Sequence, residues 1–188
     1  MLGGVLFRPQ SARTPLAQAK LSEAEPGTLI LANPNNPDGY GYSAEELEIL
    51  SDFARRHDLW VISDECYEHY VYEGRRHLSI AALPEMAERT LSAFSFSKSF
   101  AMAGHRLGYA VAAPALMGPL RRSANHTVYN VCSSVQRAGL ETLRQAESFC
   151  DLWLPEYEAA RKRMGHALGC PPPQGGAYYF PRYASPEV

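Results

Sequence analysis

Apolar and polar positions along this chain switch repeatedly between a short-run pattern and a helical one. Residues 28–34, TLILANP, form a short apolar run closed by Asn and Pro, which predicts a buried strand. The following YSAEELEILSDFARRHD moves to helical spacing, with Leu47, Leu50 and Ala54 on one face and Phe53 beside them. Ser43 is placed to cap that helix, and Glu46 three residues on completes a capping box. Arg55, Arg56 and His57 suit the negative end of its dipole. LWVISDE, residues 59–65, is a second apolar run ended by acids. Strand, helix and strand at this spacing predict a βαβ unit with parallel strands and a right-handed crossover.

TLSAFSFS and RLGYAVAA read as further strands, and helices are expected over residues 114–124 and 134–144. LPEYEAARKRMGHAL predicts a last helix with Pro155 in its first turn. GCPPPQGGAYYFPRY then reads as a turn leading into a strand or hairpin. The pattern as a whole predicts an α/β fold, a mostly parallel sheet flanked by helices. Residues 1–145 are expected to form part of a large domain, and residues 146–188 a linking helix and part of a small α+β domain. Ligands of parallel sheets sit beyond the carboxyl ends of the strands. NPNNPDG, DECY and SK follow three predicted strands, so they should converge on one rim.

The chemistry at that rim centres on Lys98. An amine at the end of a buried strand reads as partly desolvated, which lowers its pKa and favours carbonyl chemistry, or as a lysine snorkelling to solvent from the strand end. Ser95 and Ser97 alternate with Phe94 and Phe96, so both hydroxyls would share a strand face. Arg106 adds a forked cation suited to phosphate. Asp64 follows the apolar WVIS, where a carboxylate needs a cation or donors to meet it. It reads as the counter-ion of a protonated ring nitrogen or as a turn residue. Tyr67 reads as a ligand hydrogen bond or as packing, and Asn36 as a ligand contact or a turn. The Asn36–Pro37 bond is a candidate cis peptide.

Composition narrows the alternatives. The chain has 188 residues, a 46% hydrophobic share and a formal net charge of -2, with no basic run. That argues against a nucleic-acid binder. Cys66, Cys132, Cys150 and Cys170 lie far apart without metal-finger spacing, so reduced thiols in a cytoplasmic protein are expected and a metal site is not. No apolar stretch is long enough for a membrane span, and the opening MLGGVLFRPQ is too short in apolar residues for a signal peptide.

NPNNPDG, SDECY, SFSK and AGHRLGY, in this order and spacing, resemble the fold-type I, class I/II aminotransferases that use pyridoxal 5'-phosphate (PLP). The resemblance covers residues 28–180 and implies the PLP-dependent transferase-like large domain. It implies an internal aldimine on Lys98, which then shuttles a proton between the substrate and the cofactor. Asp64 would pair with the pyridinium nitrogen, and Asn36 and Tyr67 would bond the phenolic oxygen. Ser95 and Arg106 would hold the phosphate, with Ser97 a weaker candidate. The implied activity passes an amino group from an amino acid to a 2-oxo acid, within amino-acid metabolism and biosynthesis. A homodimer is implied, with HTVYNVCSS near its interface, and GGAYYF would begin the small domain. Elimination or decarboxylation on the same scaffold, or a non-catalytic remnant, are the alternative readings. Asp38 stands where the family often has Thr, and His105 where an aromatic or aliphatic residue is usual. Relatives are longer at both ends, so a central portion is expected. It would lack the upstream phosphate-binding turn and ring-stacking aromatic, and the downstream arginine that grips the substrate carboxylate.

Overall fold

The computed structural model describes residues 4–6 and 27–181. Most of the opening MLGGVLFRPQ and the last residues of the chain therefore lie outside the described residues. A five-stranded sheet runs in the order β1 (Gly4–Leu6), β2 (Thr28–Ala32), β3 (Trp60–Asp64), β4 (Thr90–Ser95) and β5 (Gly108–Val111). The first four strands are parallel and β5 is antiparallel to β4. Helix α1 (Ala44–Arg56) makes the crossover between β2 and β3, as the βαβ reading expects. After β5 come α2 (Pro114–Thr127), α3 (Ser133–Arg144) and α4 (Ala146–Leu168). Among the described residues no helix is long and apolar enough to cross a membrane.

The sheet's two faces differ. Leu29, Leu31, Val61, Ser63, Thr90 and Ser92 are buried on one of them. There Leu29, Leu31 and Val61 join Leu47, Leu50, Phe53 and Ala54 of α1, with Ile80 and Met86, in the main core. The opposite face carries Ile30, Ile62, Ala93 and the 49% exposed Trp60. It meets α2 across a cavity of about 310 Å³ lined by Trp60, Ile62, Leu91, Leu116 and Leu120. A second core joins Phe96, Phe100, Met102 and Leu107 to Cys150 and Trp153 of α4.

Ser43 and Glu46 cap α1 reciprocally. The Glu46 amide donates to Ser43 Oγ at 3.2 Å, and the Ser43 amide donates to Glu46 Oε2 at 2.8 Å. Ser43→Ala leaves the first turn without its acceptor and is expected to cost about 1 kcal/mol. A thermal melt should fall by roughly 2–4 °C; an unchanged melt would mean that the cap contributes nothing.

Two expectations are corrected. Pro155 lies inside α4, which starts at Ala146 rather than at the proline. Phe149, Cys150 and Trp153 pack onto the second core, and that burial carries the helix through an imino acid that interrupts one backbone bond. Among the described residues GGAYYF forms neither strand nor hairpin: Gly175 makes an isolated antiparallel bridge to Val71, and residues 176–181 are irregular. The Gly175 amide donates to the Gly39 carbonyl and that of Gly176 to the Tyr70 carbonyl, so loops rather than a strand hold this segment.

Candidate active site

The polar residues that follow β2, β3 and β4 gather at one end of the sheet. Asp64, the last residue of β3, pairs in register with Ala32 on one side and Ala93 on the other. Small neighbours leave the carboxylate standing on the half-covered face. Side chains alternate along a strand, so Ser95 shares that face with Ala93. Asp64 is exposed rather than buried, and its Oδ1 accepts from the Cys66 amide at 3.1 Å. The carboxylate that is buried is the neighbouring Glu65, which continues the Val61 and Ser63 face and is 0% exposed. Glu65 accepts from Ser79 Oγ at 2.6 Å and Ser92 Oγ at 2.8 Å, with His77 Nε2 at 2.7 Å.

Tyr67 sits in the turn after β3, 5% exposed, edge-on to Tyr70 and Tyr178. Its hydroxyl lies 3.2 Å from that of Tyr178, and burial followed by that hydrogen bond pushes its pKa up. The Lys98 ammonium lies 5.7 Å from the centre of the Tyr67 ring. Lys98 is exposed, contrary to the desolvated position expected from the sequence, because β4 ends at Ser95 and the turn over residues 96–100 buries Phe96, Ser99 and Phe100 while leaving Lys98 in solvent. That turn is closed by the Met102 amide on the Phe96 carbonyl, 3.1 Å. Ser97 is therefore not on the strand: its amide donates to Ser95 Oγ at 3.1 Å, so the two serines meet across a turn.

Arg106 stands beside them. Gly108 pairs with Ser95, and the Phe96 amide donates to the Leu107 carbonyl, which brings Arg106 to the same rim. It takes the left-handed conformation at φ 53°, and its Nη1 donates to the Ala103 carbonyl at 2.9 Å. Asn36 is exposed in the loop after β2. Both Asn33–Pro34 and Asn36–Pro37 are cis. Asp38 tightens this loop, accepting from Asn35 Nδ2 at 2.7 Å and the Tyr40 amide at 3.0 Å. An acid at that position therefore has a structural task of its own.

The sequence offered no warning of Glu68, whose side chain is only 11% exposed beside His69. Its Oε2 is buried without a partner. Burial, then repulsion from Glu65 and Asp64, pushes its pKa up to about 7 despite an opposing backbone hydrogen bond. The folded pKa exceeds the ordinary carboxylate value, so stability is full below about 4.5 and falls as pH rises towards about 7. Glu68→Gln is expected to raise unfolding stability at pH 8 by roughly 2 kcal/mol and to leave it unchanged at pH 4. Urea unfolding at the two pH values checks this; equal effects at both would remove the explanation.

Comparison with known proteins follows the same lines. The family model described as aminotransferase class I and II matches residues 10–170. An aspartate aminotransferase of Pyrococcus abyssi is 41% identical over 164 residues, 82% of this chain and 41% of that protein. Aromatic-amino-acid aminotransferase 2 of Thermococcus litoralis is 38% identical over 162 residues, again 82% of this chain and 41% of the relative. The crystal structure of the aromatic aminotransferase from Pyrococcus horikoshii OT3 superposes with a TM-score of 0.74 at 35% identity, covering 79% of this chain and 42% of that one. The chain thus spans about two fifths of the length of the curated relatives it matches.

Proposed function

The chain belongs to the class I and II aminotransferases, a PLP-dependent family, and on that premise we propose that it forms the cofactor-binding part of an aminotransferase. The reaction is transfer of an amino group from an amino acid to a 2-oxo acid. What supports the reading is the carboxyl end of the sheet, where Lys98 lies 5.7 Å from the Tyr67 ring centre, Ser97 bonds Ser95, and the ends of β3 and β4 add Asp64 and the approach of Arg106. This donor set matches the aldehyde, ring nitrogen, phenolic oxygen and phosphate of PLP. When bound, PLP supplies an aldehyde for amines and a ring that withdraws electrons from the substrate's α carbon.

In this reading Lys98 Nζ would be the amine that holds the cofactor's aldehyde, and the same amine would move the proton at the substrate's α carbon. Asp64 holds the proton on the ring nitrogen, which keeps the ring electron-poor. Tyr67 and Asn36 hydrogen-bond the phenolic oxygen. Ser95 and Arg106, with Ser97, hold the phosphate, for which the guanidinium exchanges the Ala103 carbonyl for an anion. Residues 146–188 are read as a linking helix and the start of a smaller domain. A second copy of the chain is the proposed partner. Exposure of Val128 (67%) and Tyr129 (80%) supports an interface near residues 126–134. The four free cysteines support a reducing compartment, the cytoplasm.

The test is a half-reaction. Purified chain loaded with PLP is mixed with a panel of amino acids, and release of the matching 2-oxo acid is measured. Stoichiometric release with at least one amino acid is expected. Release of carbon dioxide or an eliminated group instead would replace transamination with another reaction on the same cofactor. No product from any of them would leave the chain without the proposed activity.

A further inference from the structure

Tyr178 belongs to the irregular segment after α4, and everything about that segment's attachment fixes where its hydroxyl lies. Arg161, buried on α4, donates from Nη1 to the Pro173 carbonyl at 2.6 Å and from Nη2 to Glu73 at 2.6 Å. Its guanidinium lies 4.8 Å from the centre of the Tyr72 ring, and Tyr72 in turn donates to the Gly176 carbonyl at 2.7 Å. The Gly175 amide donates to the Gly39 carbonyl at 2.8 Å, in the loop that carries Asn36. A side chain at Gly175 would come within 2.6 Å of Pro34 and 2.8 Å of the Tyr70 carbonyl, so the close approach requires glycine. Two residues beyond this clamp, the Tyr178 hydroxyl reaches the buried Tyr67 hydroxyl at 3.2 Å while the ring stays 42% exposed.

We propose that Tyr178 is a positioning residue that holds the Tyr67 hydroxyl and directs its proton towards the phenolic oxygen of the bound cofactor. The inference rests on the PLP reading above and adds a residue to it. A phenol has one proton to donate and lone pairs to accept. In the structure Tyr67 is the donor and Tyr178 the acceptor. Either phenol can donate, and with the cofactor bound the reverse bond, from Tyr178 to the Tyr67 oxygen, leaves Tyr67 its own proton for the ligand. Without Tyr178 the Tyr67 hydroxyl is free to rotate away. The clamp by Arg161 and Gly175 makes this a fixed arrangement, since it ties α4, the loop after β2 and the turn after β3 to the same few residues.

The experiment compares Tyr178→Phe, Tyr67→Phe and the double variant in the full chain loaded with PLP. It reads the pH midpoint of the visible band of the Lys98-bound cofactor and the PLP dissociation constant. A hydrogen bond donated to the phenolic oxygen favours its charged form, so its loss moves the midpoint up. Tyr67→Phe is expected to raise the midpoint by about one pH unit, and Tyr178→Phe by about half as much with roughly 3- to 10-fold weaker binding. The double variant should match Tyr67→Phe alone, because Tyr178 acts only through Tyr67. A residue that merely packs would lower the melting temperature, leave the midpoint unmoved and give additive losses, and that result overturns the proposal. A wild-type chain with no band would overturn the PLP reading itself, whereas a normal band unmoved by Tyr178→Phe would overturn only the role of Tyr178.

Discussion

Replacing Lys98 by alanine is expected to abolish all borohydride-stable attachment of PLP while leaving the fold intact. The two halves of this expectation come from different observations. Attachment needs a primary amine at the rim, and Lys98 brings one to within 5.7 Å of the Tyr67 ring centre. The chain's other lysines are Lys20 and Lys162, and Lys162 pairs with Glu158 on the exposed flank of α4, 3.2 Å away. The fold half follows from exposure: Lys98 is solvent-facing, and such substitutions shift stability by no more than about 0.5 kcal/mol. The measurement is mass spectrometry of peptides after reduction, beside a thermal melt of the same samples. Wild type should carry the adduct on the peptide containing Lys98, and Lys98→Ala on none. Equal labelling of Lys162 in both chains would show that PLP reacts with any accessible amine. A large drop in the melt would show that Lys98 is structural.

The exposure that makes this substitution clean is the snorkelling reading of Lys98, which the alternation around it obscures. SAFSFSK alternates so regularly that the strand is expected to run up to the lysine. Whether a strand continues is decided by its neighbours, and β5 pairs with β4 only from Ser92 to Ser95. Beyond Ser95 the Phe96 carbonyl is taken by Met102, and the chain must turn. The βαβ unit was legible because its signals are local: the capping box of Ser43 and Glu46, the apolar stripe of α1, and the acids that end β3. Position 155 misled for the opposite reason. Proline at the first turn is a local rule, and it lost to the burial of Phe149, Cys150 and Trp153 against residues some fifty positions earlier in the chain.

The rim shows the same division. Asp64 and Ser95 stand at the strand ends that alternation predicts, whereas Ser97 and Lys98 lie in the turn beyond β4. What could not be read is which side chains complete the rim from a distance, since Tyr178 meets Tyr67 across 111 positions. Glu65 is a different case, because a signal was present. Val61, Ser63 and Glu65 follow the period of two, so the acid belonged on the buried face and Asp64 on the open one. The apolar run drew attention to Asp64, and the carboxylate that the fold buries is Glu65, one residue on.

Glu65 accordingly carries the largest expected effect on stability. Its carboxylate collects Ser79 Oγ, Ser92 Oγ and His77 Nε2 at 2.6, 2.8 and 2.7 Å, tying β4 and the segment before the short turn at Ile80–Ala82 to the end of β3. Glu65→Ala leaves these groups in an interior without their acceptor, and stability is expected to fall by about 3–5 kcal/mol. Glu65→Leu should do no better, because filling the volume supplies no acceptor to the two serines and His77. Glu65→Gln keeps one oxygen but turns an amide donor towards groups that need an acceptor, so an intermediate loss is expected. The pH dependence gives an independent check. Burial raises the Glu65 pKa, but the hydrogen bonds with His77, Ser79 and Ser92, together with the His77 charge, outweigh it and hold it below the ordinary 4.5. A carboxyl whose folded pKa is depressed contributes fully above its unfolded pKa and loses that contribution as pH falls through the folded value. The gap between wild type and Glu65→Ala in urea unfolding should therefore be widest near neutrality and narrow once the pH drops below about 4.5. A gap that stays constant across that range would mean that the loss comes from the vacated volume, and that the ionised carboxylate is not what binds β3 and β4 together at the rim.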